Sequence, residues 1–215
     1  MRTLYHFKHS PFSRRARLAL AHKGLECELR EARDNPEWRK EAGGLVALKT
    51  IPVLVDGDVA LADSMAIARW LDAKYPSDPR IWPEGSDALV SLEMTTLVDV
   101  ALNTIIDVGT RYYPLRDHPS WTAVTTEMHG RAQRALDALG AKAQDRIGTT
   151  LTASGWSAAD MWLYTAVVWL GGLPERVNSN KNVAQIVSVG GWTLPDAATQ
   201  WAEAHDARAD VRSLG

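Results

Sequence analysis

From residue 3 the chain alternates polar and apolar side chains, Thr3-Leu4-Tyr5-His6-Phe7, which predicts a strand. The turn His9-Ser10-Pro11 follows. Ala16, Ala19 and Leu20 then share one side of a helix running to about His22, with Arg14, Arg15 and Arg17 placed elsewhere. Lys23-Gly24 is a helix stop, because glycine tolerates the left-handed conformation that closes a C-terminus. Residues 26–31 alternate loosely as a second strand. Asn35-Pro36-Glu37 opens a short helix that Gly43-Gly44 ends. Two apolar runs flank Asp56-Gly57-Asp58 as a hairpin. Ile67, Trp70, Leu71 and Tyr75 then recur at helical spacing up to Pro76. The predicted order is βαβαββα.

Residues 77–86 are rich in proline and read as a linker. Beyond them the apolar period is helical throughout. Met94, Leu97, Val98, Ala101, Ile105 and Val108 form one stripe, which Tyr113-Pro114 and His118-Pro119 interrupt. A second stripe runs from Val124 through Met128, Ala132, Leu136 and Leu139 to Ala143. Ser157-Ala158-Ala159-Asp160 has capping-box spacing ahead of a helix over 161–170. Pro195 sits near the first turn of a last helix containing Trp201. The expectation is an α/β domain over 1–76 and an all-α domain over 87–215.

Composition narrows the picture little. The 215 residues are 46% hydrophobic and 23% charged, ordinary for a globular protein. A net charge of −2 gives no reason to expect nucleic acid or an anionic membrane as partner. Cys27 is the single cysteine, so no intrachain disulfide forms and a reducing compartment fits. Neither a signal peptide nor an apolar run long enough to cross a bilayer is read, so a cytoplasmic protein is expected. Nine tryptophans point to aromatic cores or a pocket without choosing between them.

The chemistry concentrates in two places. Pro52 sits inside the apolar run Ile51-Pro52-Val53-Leu54-Val55, where it removes a ladder donor. It marks an edge, a strand start or a special backbone geometry, and a cis bond would offer the Ile51 backbone to an extended peptide. Asp63-Ser64 opens the next helix, as a cap or as a polar clamp: Ser64 for a carboxylate, Asp63 for an ammonium. An amino acid carries both groups. Ser10, between a strand and a helix start, is likewise a cap or a hydroxyl donor to a bound anion such as a thiolate. Six histidines and many carboxylates show no ligand spacing with a third candidate, so no metal is expected. His6 and His9 read as surface or packing residues, and Cys27 as a buried, inert thiol.

Taken together, these segments resemble a cytosolic glutathione S-transferase of the serine type, similar to tau-like and bacterial members. Ser10-Pro11-Phe12 resembles the motif after the first strand, and Ile51-Pro52-Val53-Leu54 the cis-proline strand. Asp63-Ser64-Met65-Ala66-Ile67 resembles the acidic-Ser-x-x-Ile clamp. Ser157 to Asp160 and the ending from Pro195 through Arg208-Ala209-Asp210-Val211-Arg212 match the helical half. The resemblance implies a thioredoxin-like first domain, an all-helical second domain and glutathione as co-substrate. It implies that Ser10 is catalytic, donating to the glutathione thiolate, with Ser13 as second candidate. Ile51 and a cis Pro52 would meet the cysteinyl part, Asp63 and Ser64 the γ-glutamyl end, and Lys49 the glycine carboxylate, where Thr50 competes.

The sequence departs from the family pattern in three ways. Asp63 stands where Glu is commoner, and residues 43–48 replace a frequent Asn-Pro. Position 10 is Ser and not Cys, which argues against mixed-disulfide exchange. The activity implied is conjugation of glutathione to a small apolar electrophile, in detoxification, by a homodimer. The electrophile is expected between the domains, against the helix ending near Arg111-Tyr112-Tyr113. A dedicated isomerase, dehalogenase or peroxidase, and a non-catalytic binding or regulatory protein, remain open.

Overall fold

A computed structural model describes residues 1–76 and 79–214. The expected linker begins on residues 77 and 78, which lie outside them. Four strands, β1 (Arg2–His6), β2 (Glu28–Glu31), β3 (Val53–Asp56) and β4 (Val59–Ala62), form one sheet in the order β2-β1-β3-β4. β1 and β2 are parallel, and β3 is antiparallel to both β1 and β4. Gly57, at φ +62°, makes the tight β3–β4 turn that a side chain would strain.

Helices α1 (Pro11–His22), α2 (Pro36–Leu45) and α3 (Ser64–Lys74) complete the predicted βαβαββα order. The sheet's period-2 pattern separates its two faces. Leu4 opposite Leu54 joins the large core under α1 and α3, while Tyr5 opposite Val53 packs on Ala42 of α2. This is a thioredoxin-like arrangement.

Six helices follow: α4 (Ser86–Gly109), α5 (Trp121–Gln144), α6 (Ala158–Gly171), α7 (Lys181–Val189), α8 (Asp196–Glu203) and α9 (Ala209–Arg212). α6 is buried almost all round, as a central helix must be. It packs on α4, α8 and also α1, so the core of the helical half runs without a break into that of the sheet.

Several expectations are corrected. α2 continues through Gly43-Gly44 to Leu45, because a helix tolerates glycine at about 1 kcal/mol per residue when packing holds it; buried Ala42 supplies that packing. β2 starts at Glu28, two residues later than expected. Val124 and Met128 leave the α5 stripe and instead line a small apolar pocket with Tyr112 and Leu115. α4 is long and apolar enough to cross a membrane, with a mean hydropathy of 1.5, contrary to the reading of the sequence. Here it packs against α5, α6 and α7. α7 was not expected at all.

The bundle-facing side of α1 is unusual. Arg15 is 1% exposed; its Nη1 pairs with Asp99 of α4 at 2.6 Å and its guanidinium lies 4.8 Å from the Trp162 ring. Arg17 is also buried, donating to the carbonyls of Lys8 and Leu214. Both were expected away from the core.

α9 closes against α1 through Asp210, which lies 3.6 Å from His22 and accepts from Arg208 Nε at 3.1 Å. Burial pushes the Asp210 carboxyl up, but hydrogen bonds from His22 and Arg208 outweigh it and hold it at about 2. A depressed carboxyl stabilises the fold above its ordinary value and loses that contribution as pH falls through the folded value. Asp210→Asn is therefore expected to lower the melting temperature at pH 6. The gap from the native protein, followed by circular dichroism, should narrow between pH 4 and 2; a gap constant with pH would contradict this.

Candidate functional site

A cleft lies where the C-terminal end of β1 and the start of β3 face α4, α6 and α7. It holds two adjoining cavities of about 470 and 480 Å³ that share Phe7, Phe12, Ile51 and Ile106 as walls. Lys49, Ile51, Pro52, Asp63 and Ser64 line one of them. Ser10 lines the other, beside His9, Arg176 and Trp169. The structure thus brings all six expected residues to one cleft, with Ile51 common to both parts.

Ser10 caps α1. Its backbone is extended, its Oγ accepts from Ser13 N–H at 3.3 Å, and Pro11 fills the first helical position, where no N–H is needed. A hydroxyl that accepts still has a proton to give. Ser10 gives its proton to no group among the described residues and is partly exposed to the cavity. Ser13 differs: it is fully buried and its Oγ accepts from Phe7 N–H at 3.1 Å, tying the helix to the end of β1. It lines neither cavity.

The Ile51–Pro52 bond is cis. Pro52 is buried just before β3, so the proline stands at a strand start and no ladder bond is lost. Among the described residues neither the N–H nor the C=O of Ile51 pairs with other backbone. That leaves one donor and one acceptor at a residue that lines the cleft.

Asp63 adopts φ +79°, a conformation uncommon for a residue with a side chain. Its Oδ1 accepts from Met65 N–H at 2.8 Å and Ala66 N–H at 3.1 Å, so it is a helix cap. Among the described residues the second carboxylate oxygen accepts no hydrogen bond, so cap and clamp are compatible. Ser64 is buried in the first turn of α3, where free N–H groups and the helix dipole favour an anion. Lys49, with φ +51°, is exposed at the rim.

The far wall holds residues that were not singled out from the sequence: Thr110, Trp169, Arg176, Asn180 and Ile186. The expected end of the second-substrate wall divides. Arg111 lines the cavity with Asp63, whereas Tyr112 faces the separate apolar pocket. His9 does lie at the surface, but also lines the cleft; burial and the charges of Arg176, Lys8, Arg14 and Arg33 push its imidazole down from its ordinary value. Cys27 is half-buried outside the cleft, and burial pushes its thiol up to about 11, which keeps it unreactive. Among the described residues no cluster of His, Cys, Asp and Glu could hold a metal.

α7 reaches this wall through one close approach. A Cβ on Gly109 would collide with Ile186, coming within 2.6 Å of its Cα. Gly109→Ala should displace α7 and destabilise the fold by about 1–3 kcal/mol, the usual range for overpacking. Urea unfolding checks this, and a midpoint equal to that of the native protein would contradict it.

A thioredoxin-like sheet with an open cis-proline corner, joined to a helical bundle, defines the class. Residues 4–79 match the family model of the glutathione S-transferase N-terminal domain. Glutathione S-transferase Z2 of Arabidopsis thaliana is 34% identical over 101 residues, 44% of this chain and 44% of that protein. The probable glutathione S-transferase GSTU1 of Oryza sativa subsp. japonica is 31% identical over 129 residues, 53% of this chain and 52% of that protein. The chain spans about half the length of the curated relatives it matches. A glutathione S-transferase of Methylobacterium radiotolerans, crystallised with glutathione sulfonate, has the same fold with a TM-score of 0.72 at 20% identity, over 99% of this chain and 93% of that one. The first domain is thus similar to the glutathione S-transferase N-terminal domain, and the fold of the whole chain to that of a solved glutathione S-transferase.

Proposed function

We propose that the protein is a glutathione transferase that ionises bound glutathione and directs its thiolate onto a small, largely apolar electrophile. The observation that carries this is the unspent hydroxyl proton of Ser10, in the same cleft as the open Ile51 backbone and the N-terminus of α3. Ser10 would donate to the sulfur and lower its pKa below the ordinary thiol value of ~8.5. Ile51 would pair with the cysteinyl backbone beside Pro52. Ser64 would receive the γ-glutamyl carboxylate while the free oxygen of Asp63 meets the ammonium. Lys49 would reach the glycine carboxylate.

The thiolate forms a C–S bond at the electrophilic carbon as the leaving group departs with its electron pair. Positioning and electrostatic stabilisation supply the acceleration. Phe12, Ile106, Trp169, Val183 and Ile186 give the electrophile an apolar seat.

Residues 1–76 would act as the glutathione-binding domain and 87–215 as the helical one. Asp72, in the first, holds the segment that leads to the second, accepting from Ile81 and Trp82 N–H. Exposed Leu89 and Leu92 on α4 fit burial in a homodimer.

The test is calorimetry with glutathione, an ultraviolet titration of the bound thiol, and turnover of halides, epoxides and isothiocyanates. Micromolar to millimolar binding with a thiol ionising below ~8.5 supports the proposal. Absence of binding favours a non-catalytic role. Turnover of one isomerisable substrate alone favours a dedicated isomerase.

A further inference from the structure

We propose that Arg17 is a positioning residue for Ser10, and that through Arg17 the docking of residues 209–214 on α1 sets how well Ser10 is aimed. The proposal rests on the reading of Ser10 as donor to the glutathione thiolate and adds what holds that donor in place.

Ser10 stands at the end of a tight turn, which its own N–H closes onto Phe7 O at 3.0 Å. Other residues grip the turn from outside. Phe7 N–H donates to Ser13 Oγ at 3.1 Å, and Lys8 N–H to the Glu31 carboxylate. His9 O accepts from Arg176 Nη1 at 3.4 Å. Lys8 O accepts from Arg17 Nη2 at 2.7 Å, the shorter and firmer of the two arginine contacts. The same guanidinium reaches the far end of the helical half. Its Nη1 donates to Leu214 O at 3.2 Å, two residues beyond α9, and α9 itself packs on α1. One rigid planar group thus joins the turn that carries Ser10 to the segment 209–214.

Stability alone does not account for this side chain. Arg17 is buried, and its Nε has no partner among the described residues. Glu31, the carboxylate that acts on its charge, is hydrogen-bonded to Lys8 and Arg33 N–H instead. A buried cation without a carboxylate against it carries a desolvation cost that an apolar side chain of the same size does not. What the guanidinium does, and an apolar side chain cannot, is hold two carbonyls in fixed relation, one of them two residues from Ser10. While residues 209–214 are docked, those carbonyls are its acceptors. Once the segment lifts, water reaches the guanidinium and competes for Nη2, and the turn loosens.

The test is an ultraviolet titration of glutathione bound to the full-length protein, with turnover alongside. Arg17→Met fills the space without donors, and the bound thiol is expected to titrate about half a unit to one unit higher. Measured below the native thiol pKa, kcat should fall about 3- to 10-fold, the factor by which the thiolate is depleted. KM for glutathione should stay the same, because the Ile51 backbone and the start of α3 do not depend on the turn. Arg17→Lys keeps a charge that can reach one carbonyl, and should restore part of the shift. Val211→Lys puts a charge into the core under α9 and lifts the segment. It should move the thiol the same way, and add little to Arg17→Met, because both act through one contact. Asp160→Ala bonds to neither the turn nor Arg17, and should lower the melting temperature without moving the thiol. A thiol unmoved in Arg17→Met, or moved as far by Asp160→Ala, would overturn the proposal while glutathione still binds. A thiol unmoved in Val211→Lys would overturn the link to residues 209–214. If Arg17→Met does not fold, Arg17→Lys and Val211→Lys decide, and an unmoved thiol in both overturns the proposal. If the native protein binds no glutathione, the reading of Ser10 falls and takes this proposal with it.

Discussion

Replacing Ser10 with alanine is expected to lower glutathione turnover about 100- to 1,000-fold, the usual consequence of losing one donor aimed at developing or resident negative charge. Glutathione should still bind, because the Ile51 backbone and the start of α3 do not depend on the hydroxyl. The titration of the bound thiol is the sharper readout. It should move back toward ~8.5, and turnover should recover in part as pH is raised, because the thiolate then forms without help.

Ser10→Ala also removes the cap on Ser13 N–H, worth about 1 kcal/mol. A drop of roughly 2–4 °C in melting temperature is expected from that alone. Ser10→Thr keeps a hydroxyl and the cap, and should retain much of the activity. The control is Ser13→Ala, whose buried oxygen serves Phe7 N–H and should cost stability without moving the thiol. If Ser10→Ala leaves thiol ionisation and rate unchanged, Ser10 is only a cap and the assignment of the chemistry fails.

Asp160→Ala is expected to remove about 3–5 kcal/mol of stability. Asp160 is fully buried at the start of α6. Its Oδ1 accepts from Leu151 N–H at 2.8 Å, and its Oδ2 from the N–H and hydroxyl of Ser157, each at 2.9 Å. Burial raises its carboxyl above the ordinary 3.8, against the pull of those donors, so the anion itself is no large gain. The expected loss comes from the donors left behind: two buried backbone N–H groups without acceptors, at about 1–3 kcal/mol each. The melting temperature should fall by roughly 6–20 °C, on 2–4 °C per kcal/mol for a chain of this size. Asp160→Asn keeps one acceptor but turns an amide N–H toward a donor, and should fall between. A loss under about 1 kcal/mol in denaturant titration would show that water replaces the carboxylate, contradicting the stranded-donor account.

The periodic elements were legible because their burial is one-sided: Leu4 with Leu54, and the α4 stripe from Met94 to Val108, bury as the spacing required. Pro52 was legible as an exception to strand chemistry, but its cis geometry came only through resemblance. α7 left a signal that went unused: Asn180 accepts from Asn182 and Val183 N–H, and Val183 and Ile186 recur three apart. The helix was hard to see because it is only nine residues long and its neighbours are turn residues, Asn178 to Asn180 and Gly190-Gly191. The far wall of the cleft, Trp169 and Arg176 above all, was not legible. Those residues become neighbours of Ser10 only through the packing of α1 on α6, and no local pattern records that.

The arginines that α1 presents to the helical half bear on how the protein is made. A chain leaves the ribosome N-terminus first, and its first 76 residues can form their sheet and helices before α4 and α6 exist. During that interval the face of α1 that will later be covered is open to water. A face built from leucines would then be an adhesive surface. Arg15 and Arg17 are hydrated at no cost until Asp99, Trp162 and the carbonyl of Leu214 arrive. The joint between the halves is thus soluble while open and bonded once closed, which suits a protein whose cleft cannot form until α7 has been synthesised.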